Sequence, residues 1–309
     1  MNSLREVLAD YLRMRRALGY KLEAPGRQLH QFVSYLERTD ARTVTIENAV
    51  AWATQPASAD PSYWGARLSV VRQFARHLQT LDPACEVPPA RLLLSRSTRA
   101  IPYPYTEQEI ATLMAAAARL PSPVMAATYP TLLGLLAVSG LRLGEAVRLD
   151  REDVDARQGL VRVINSKFAK SREVPLHDSA MRALATYGRR RDQLCPEPAS
   201  DAFLLSSTGT RLLHPNIHRT FSRLKREVGL AARATRCRPR LHDLRHRFAV
   251  NTLIDWYRHG VDVQARLPVL STYLGHVEPR DTYWYLSAAP ELLGLVARRL
   301  EPSIEQAAG

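Results

Sequence analysis

Apolar side chains recur at three- and four-residue intervals along three stretches near the start of the chain: Leu4, Val7, Leu8, Tyr11 and Leu12; Leu29, Phe32, Val33 and Leu36; and Leu68, Val71, Phe74, Ala75 and Leu78. That interval puts each set on one face of a helix, so residues 1–82 are expected to form a small all-helical domain. Between the stripes fall Arg13, Arg15, Arg16, Arg72 and Arg76, which the same periodicity assigns to exposed faces. The pattern lapses over residues 83–105, where Pro83, Pro88, Pro89, Pro102 and Pro104 interrupt any helix and Arg91, Arg96 and Arg99 add charge. This stretch reads as an interdomain linker.

Helical patterning resumes at Thr106, where Glu109 completes a capping-box signature ahead of Ile110, Leu113, Met114 and Ala117. Residues 106–309 are expected to form a second, mostly helical domain. Its one clear strand signal is Leu160–Ile164, rich in β-branched residues, which with Glu173–Leu176 predicts a β-hairpin carrying Lys167 and Lys170 in or near its tip. Further helices are expected around residues 178–192, 215–228, 242–257 and 290–300. The fold class is therefore mainly α with a small β-sheet, a helical N-terminal domain preceding a mixed α/β one. No internal repeat or low-complexity tract is visible.

Charge narrows the class of partner. With 46% hydrophobic residues the 309-residue chain can bury a core in each domain, but 43 Lys and Arg against 30 Asp and Glu leave a formal charge of +13. A polyanionic partner is expected. The first hundred residues hold 14 basic and 9 acidic side chains and the remainder 29 and 21, so both domains are basic. That distribution suits a grip on a duplex from two sides better than a single tethered arm.

Cys85, Cys195 and Cys237 are odd in number, widely spaced and without a C-x-x-C pair, so neither a disulfide framework nor a zinc site is expected. The opening MNSLREVLADYLRMRRALGY has no apolar stretch of signal-peptide length, and no run approaches the ~18 residues that span a bilayer. A cytoplasmic protein with access to the chromosome is expected.

Cleaving a phosphodiester without a metal takes a nucleophile, fixed positive charge on the non-bridging oxygens and a proton donor for the departing oxygen. Four segments supply candidates: SGLRLGEAVRL at 139–149, INSKFAKSREVPL at 164–176, LHDLRHRF at 241–248 and YLGHVEPRDTYWYL at 273–286. In the first, Gly140 can end one helix and Arg142 begin the next, with Glu145 one turn on; alone, Arg142 reads equally as a surface cation paired with Glu145. In the third, His242 and Arg245 share a helix face and could reach one phosphate, while His246 points about 100° away and reads as structural. In the last, Tyr285 follows His276 by nine residues and Tyr283 lies two before it. A phenol with an ordinary pKa of about 10 needs cations nearby to act as a nucleophile, and the residues alone leave both tyrosines open.

The order Arg, Lys, His-x-x-Arg, His, Tyr resembles the catalytic signature of the tyrosine recombinases, also called phage integrases. SGLRLGEAVRL is similar to that family's first box, LHDLRHRF to its second, YLGH with a tyrosine nine residues on to its third, and VRVINSKFAKSREVPL to its lysine hairpin. The likeness runs from about Thr106 to the C-terminus. Residues 1–82 fit the family's helical core-binding, SAM-like domain in size and character only. The resemblance implies that Arg142 and Arg245 clamp the scissile phosphate, Tyr285 attacks it, and Lys167 protonates the leaving 5′-oxygen. It further implies that His242 is a general acid/base, His276 hydrogen-bonds the phosphate and Glu145 supports the site. Lys170 is the alternative to Lys167, because Asn165-Ser166 and Phe168-Ala169 stand where the family's hairpin tip is usually glycine-rich.

The same resemblance implies strand exchange through a 3′-phosphotyrosyl intermediate on double-stranded DNA, without a cofactor or metal. It also implies a tetrameric synaptic complex, in which PELLGLVARRLE at 290–301, with its stripe of Leu292, Leu293, Val296 and Leu300, would dock on a neighbour or pack on its own domain. An accessory factor or partner recombinase is a further expected partner. Integration, excision or transposition of a mobile element is favoured over Xer-like dimer resolution. A type IB topoisomerase or a catalytically silent DNA-binding accessory protein are the alternatives.

Overall fold

The structure is a computed structural model that describes residues 3–93, 100–164, 171–276, 278, 280–288, 292 and 294. It divides between Arg99 and Ala100 into two compact units. The first contains α1 (Leu4–Ala17), α2 (Glu23–Arg38), α3 (Ile46–Thr54) and α4 (Pro61–Gln79). Their starts are written locally: Ser3 and Glu6 form a capping box on α1, Thr45 and Asn48 one on α3, and Asp60 caps α4 ahead of Pro61 at its first turn. The three expected stripes bury Leu8, Leu12, Phe32, Leu36, Leu68 and Phe74 almost completely. Helix α3 escapes the periodicity reading because its inward face is largely alanine, with Ala49, Trp52 and Ala53 buried.

Two arginines assigned to exposed faces are not free there. Arg72 is partly buried and donates from Nε to the Pro88 carbonyl at 2.7 Å and from Nη2 to that of Pro89 at 2.9 Å. Arg15 lies 4.1 Å over the Tyr20 ring, a stacking contact that withdraws its charge from the open surface. The proline-rich stretch is packed at both ends. Cys85 is buried in the first unit, and Tyr103 and Tyr105 are buried in the second.

The second unit comprises α5 (Glu107–Ala117), α6 (Pro123–Ser139), α7 (Leu143–Arg148), β1 (Val154–Asp155), β2 (Leu160–Val163), β3 (Arg172–Pro175), α8 (Asp178–Leu194), α9 (His214–Glu227), α10 (His242–Arg258), α11 (Val263–Leu274) and α12 (Arg280–Ala288). The Thr106–Glu109 capping box starts α5 as expected. The three strands form an antiparallel sheet in the order β1-β2-β3, with Val161 opposite Val174 and both fully buried. Ile164 and Leu176 fall outside the strands. Lys167, Lys170 and most of 290–301 lie outside the described residues.

A larger core around α5, α6, α8 and the sheet is separate from a smaller one built by Ala249, Leu253, Leu267, Leu270, Leu274 and Tyr285. Among the described residues no helix is long and apolar enough to cross a membrane.

Candidate active site

Helix α6 ends at Gly140, whose φ of +60° turns the chain sharply. A Cβ there would lie 2.5 Å from Phe248 Cδ1, so glycine is needed both for the backbone and for the close approach of α10. The turn delivers Arg142 to the N-cap of α7. Its Nη1 donates to Glu145 Oε1 at 2.7 Å, its backbone N–H to Oε2 at 2.9 Å, and its Nη2 to the Gly275 carbonyl at 2.9 Å. The pairing with Glu145 is therefore present, but the arginine is partly buried rather than a surface cation, 27% exposed.

Glu145 is buried and also receives Arg172, from Nη1 at 3.1 Å and Nη2 at 2.9 Å. Burial alone would raise its pKa, but the hydrogen bonds from Arg172 and the Arg142 backbone, with both positive charges, outweigh it and bring the carboxyl down to about 2. Arg172 was not singled out in the sequence, because nothing local distinguishes the first residue of β3 from any other basic residue of a hairpin.

Helix α10 supplies Arg245, 1% exposed, with Nη1 on the Gly140 carbonyl and Nη2 on that of Leu274, each at 2.7 Å. Burial and then the charge of Arg142 lower its pKa to about 10, while the Tyr285 hydroxyl beside it acts in the opposite direction. His242, one turn earlier, is exposed at the start of the helix. The protein around it, and then Arg245, push its pKa down, which favours the neutral imidazole.

Helix α11 ends at Gly275 (φ +68°), and His276 follows with Nδ1 2.7 Å from the Thr282 hydroxyl. Burial, reinforced by Arg245 and Arg142, lowers the His276 pKa to about 4. Its ring stacks on Tyr285 at 5.9 Å. Tyr285 is 4% exposed and also packs against His246 at 5.1 Å, whereas Tyr283 is 50% exposed. His246, read as structural, is thus a wall of the tyrosine's socket.

Arg142, Glu145, Arg245, His276 and Tyr285 come together from separate segments, with His242 at the rim. Arg172 and Thr282 join them unannounced by the sequence, and His246 joins through its packing on Tyr285. Two guanidiniums on Glu145 and a third, Arg245, on backbone carbonyls leave net positive charge beside a phenol and two neutral imidazoles, a setting that can hold a phosphodiester and stabilise charge developing on its oxygens. Among the described residues no group of three or more His, Cys, Asp or Glu is placed to hold a metal ion.

Residues 105–291 match the profile described as the phage integrase family. A Sinorhizobium fredii protein named as an integrase/recombinase, y4rB, is 45% identical over 307 residues, spanning 97% of this chain and 98% of that one. Tyrosine recombinase XerD of Caulobacter vibrioides is 29% identical over 292 residues, 91% of this chain and 90% of its own. Among solved structures, the Tn1549 transposon integrase in complex with transposon right end DNA matches with a TM-score of 0.64 at 16% identity, over 96% of this chain and 99% of that one. A lambda integrase tetramer bound to a Holliday junction matches at 0.60 and 16%, over 92% and 77%.

Proposed function

The chain belongs to the phage integrase family, the tyrosine-type site-specific recombinases, and from that premise we propose that it moves a mobile element by integration, excision or transposition, cutting DNA with Tyr285. The observation that carries this reading is the convergence of Arg142, Arg245, His276 and Tyr285 from distant parts of the chain. The mobile-element role is favoured over dimer resolution by the greater likeness to proteins named integrase/recombinase than to the Xer enzymes.

In this reading the Tyr285 oxygen attacks phosphorus and the bond to the 5′-oxygen breaks. Neutral His242 takes the phenolic proton, and Lys167 supplies one to the leaving oxygen. Arg142 and Arg245 are each held at both terminal nitrogens by protein acceptors, which fixes the guanidiniums in place while their second N–H groups would serve the non-bridging oxygens. In the tautomer whose Nδ1 accepts from the Thr282 hydroxyl, His276 would have Nε2–H for a phosphate oxygen. A 5′-hydroxyl from another duplex reverses the attack. One phosphodiester is exchanged for another.

Exchange between two duplexes needs four cleavages, and a tetramer on paired sites, in the cytoplasm with the chromosome, is the assembly that supplies them. The segment 290–301 would dock on a neighbouring protomer, and a partner recombinase or accessory factor would join where the two sites differ. Incubating the protein with nicked duplexes of randomised core and sequencing the SDS-resistant adducts tests the chemistry and recovers the target together. Wild type and Tyr283→Phe should give adducts and Tyr285→Phe none. Adducts from Tyr285→Phe, with none from Tyr283→Phe, would reassign the nucleophile.

A further inference from the structure

Three consecutive carbonyls at the C-terminal end of α11 each receive a different arginine: Tyr273 from Arg172 Nε at 2.8 Å, Leu274 from Arg245 Nη2 at 2.7 Å, and Gly275 from Arg142 Nη2 at 2.9 Å. A helix C-terminus leaves such carbonyls without intrahelical partners and concentrates negative potential there, so it makes a rack for guanidiniums. Two of the three are the proposed phosphate ligands. The third differs in kind: Arg172 also places Nη1 and Nη2 on the two oxygens of Glu145, so its Nε, Nη1 and Nη2 are all held by protein acceptors. It faces the protein and acts through other residues.

Its links reach three of the four chemical segments. Arg172 opens β3, the strand that follows the lysine segment. Through Glu145 it reaches α7 and Arg142, and through Tyr273 it reaches the turn that carries His276. Gly275 is shaped to it, since a Cβ at that residue would stand 2.7 Å from Arg172 Nη1 and 2.9 Å from Cζ. Without Arg172, Glu145 would keep Arg142 as its only ion-pair partner among the described residues, and that guanidinium would have to neutralise a buried carboxylate before it could serve a phosphate.

We infer that Arg172 is a positioning residue for strand cleavage, which by forking Glu145 and holding the Tyr273 carbonyl sets Arg142, the His276 turn and the lysine strand in register with one another. The inference rests on the recombinase reading above.

The test uses the full chain and the duplex recovered by adduct sequencing, with cleavage rate and duplex affinity measured separately from about pH 5 to about pH 8.5. Arg172→Lys keeps a charge but cannot form the fork. It should bind within about 3-fold of wild type and cleave at least about 30-fold more slowly, the scale of a small misplacement of reacting groups. Gly275→Ala, which drives a methyl into the guanidinium, should act in the same way. In Arg172→Gln, Glu145 loses its main hydrogen-bond donor while staying buried, so its carboxyl should take up a proton within the measured range and add an acid limb to the rate profile.

The titratable and charged groups around that carboxyl among the described residues are Arg142 at the start of α7, Arg245 on α10, His276 after α11, and Arg148, Asp150, Glu152, Asp153 and Arg211 around the adjoining cavity. Subtracting the wild-type profile removes the histidine limbs. Glu145→Gln added to Arg172→Gln should abolish the new limb. Wild-type cleavage rates in Arg172→Lys or Gly275→Ala, or an equal loss in Arg172→Gln at every pH, would overturn the inference. If wild type itself forms no adduct, the functional reading fails first; if it does and the variants match it, only the role of Arg172 falls.

Discussion

Replacing Glu145 by glutamine keeps the shape of the side chain and removes the charge that Arg142 and Arg172 share. The carboxylate side chain is 1% exposed, against 27% and 11% for its partners, so solvent cannot take its place. Stranding one side of a buried ion pair costs about 3–5 kcal/mol. The pKa gives an independent figure: a carboxyl brought from 4.5 to about 2 contributes about 3 kcal/mol at neutral pH. Because the folded pKa is the lower one, that contribution is present in full above about pH 5 and is lost as the pH falls toward 2.

Urea unfolding of Glu145→Gln followed by far-UV circular dichroism should therefore show a transition about 1 M earlier than wild type at pH 7, taking an m-value near 3 kcal/mol/M for a unit of this size. The gap should narrow as the pH is lowered from 5 to 3. The first unit contains none of these groups, and its transition should stay in place. A midpoint shift below about 0.3 M at pH 7, or a gap independent of pH, would refute the view that this carboxylate is the electrostatic centre of the arginine cluster.

The depressed His276 titrates in the same sense. It is neutral in the folded state down to about pH 4 and protonated below about 6.5 when unfolded, so stability should fall by roughly 2–3 kcal/mol between pH 7 and pH 4.5 on its account. His276→Gln should flatten that part of a urea-midpoint profile. Among the thiols, burial first and then Asp82 push Cys85 up to about 11, Cys237 is buried and Cys195 is partly exposed. Native protein treated with iodoacetamide at pH 8 should be alkylated at Cys195 alone, and comparable labelling of Cys85 by mass spectrometry would contradict its burial.

Local chemistry carried much of this fold into view. The stripes of α1, α2 and α4, the capping box at Thr106, and the Gly140 turn ahead of Arg142 depend on neighbours within a helical turn or two, and they read directly from the chain. Helices α6 and α11 read poorly because Pro130 and Pro268 lie inside them, where a proline removes a helical hydrogen bond that only surrounding packing can offset. The order of the four chemical segments was likewise legible, and with it a list of candidate side chains.

What the list could not contain is direction. Tyr283 and Tyr285 are two residues apart on α12, about 200° around the helix axis, and nothing in an all-aromatic run says which one turns inward. Contacts with His246, His276 and Arg245, drawn from two other parts of the chain, turn Tyr285 in and leave Tyr283 half exposed. Nothing in the sequence says how deep Arg245 and Arg172 lie. They become buried fixtures only because the ends of α6 and α11 present carbonyls, and α7 a carboxylate, from 27 to 105 positions away. The sequence by itself determined the helices and the inventory of reactive groups, since those follow from short-range periodicity and residue type. Which groups meet, at what depth and with which charges, was decided by the tertiary structure, because desolvation and ion pairing depend on neighbours that no local pattern brings together.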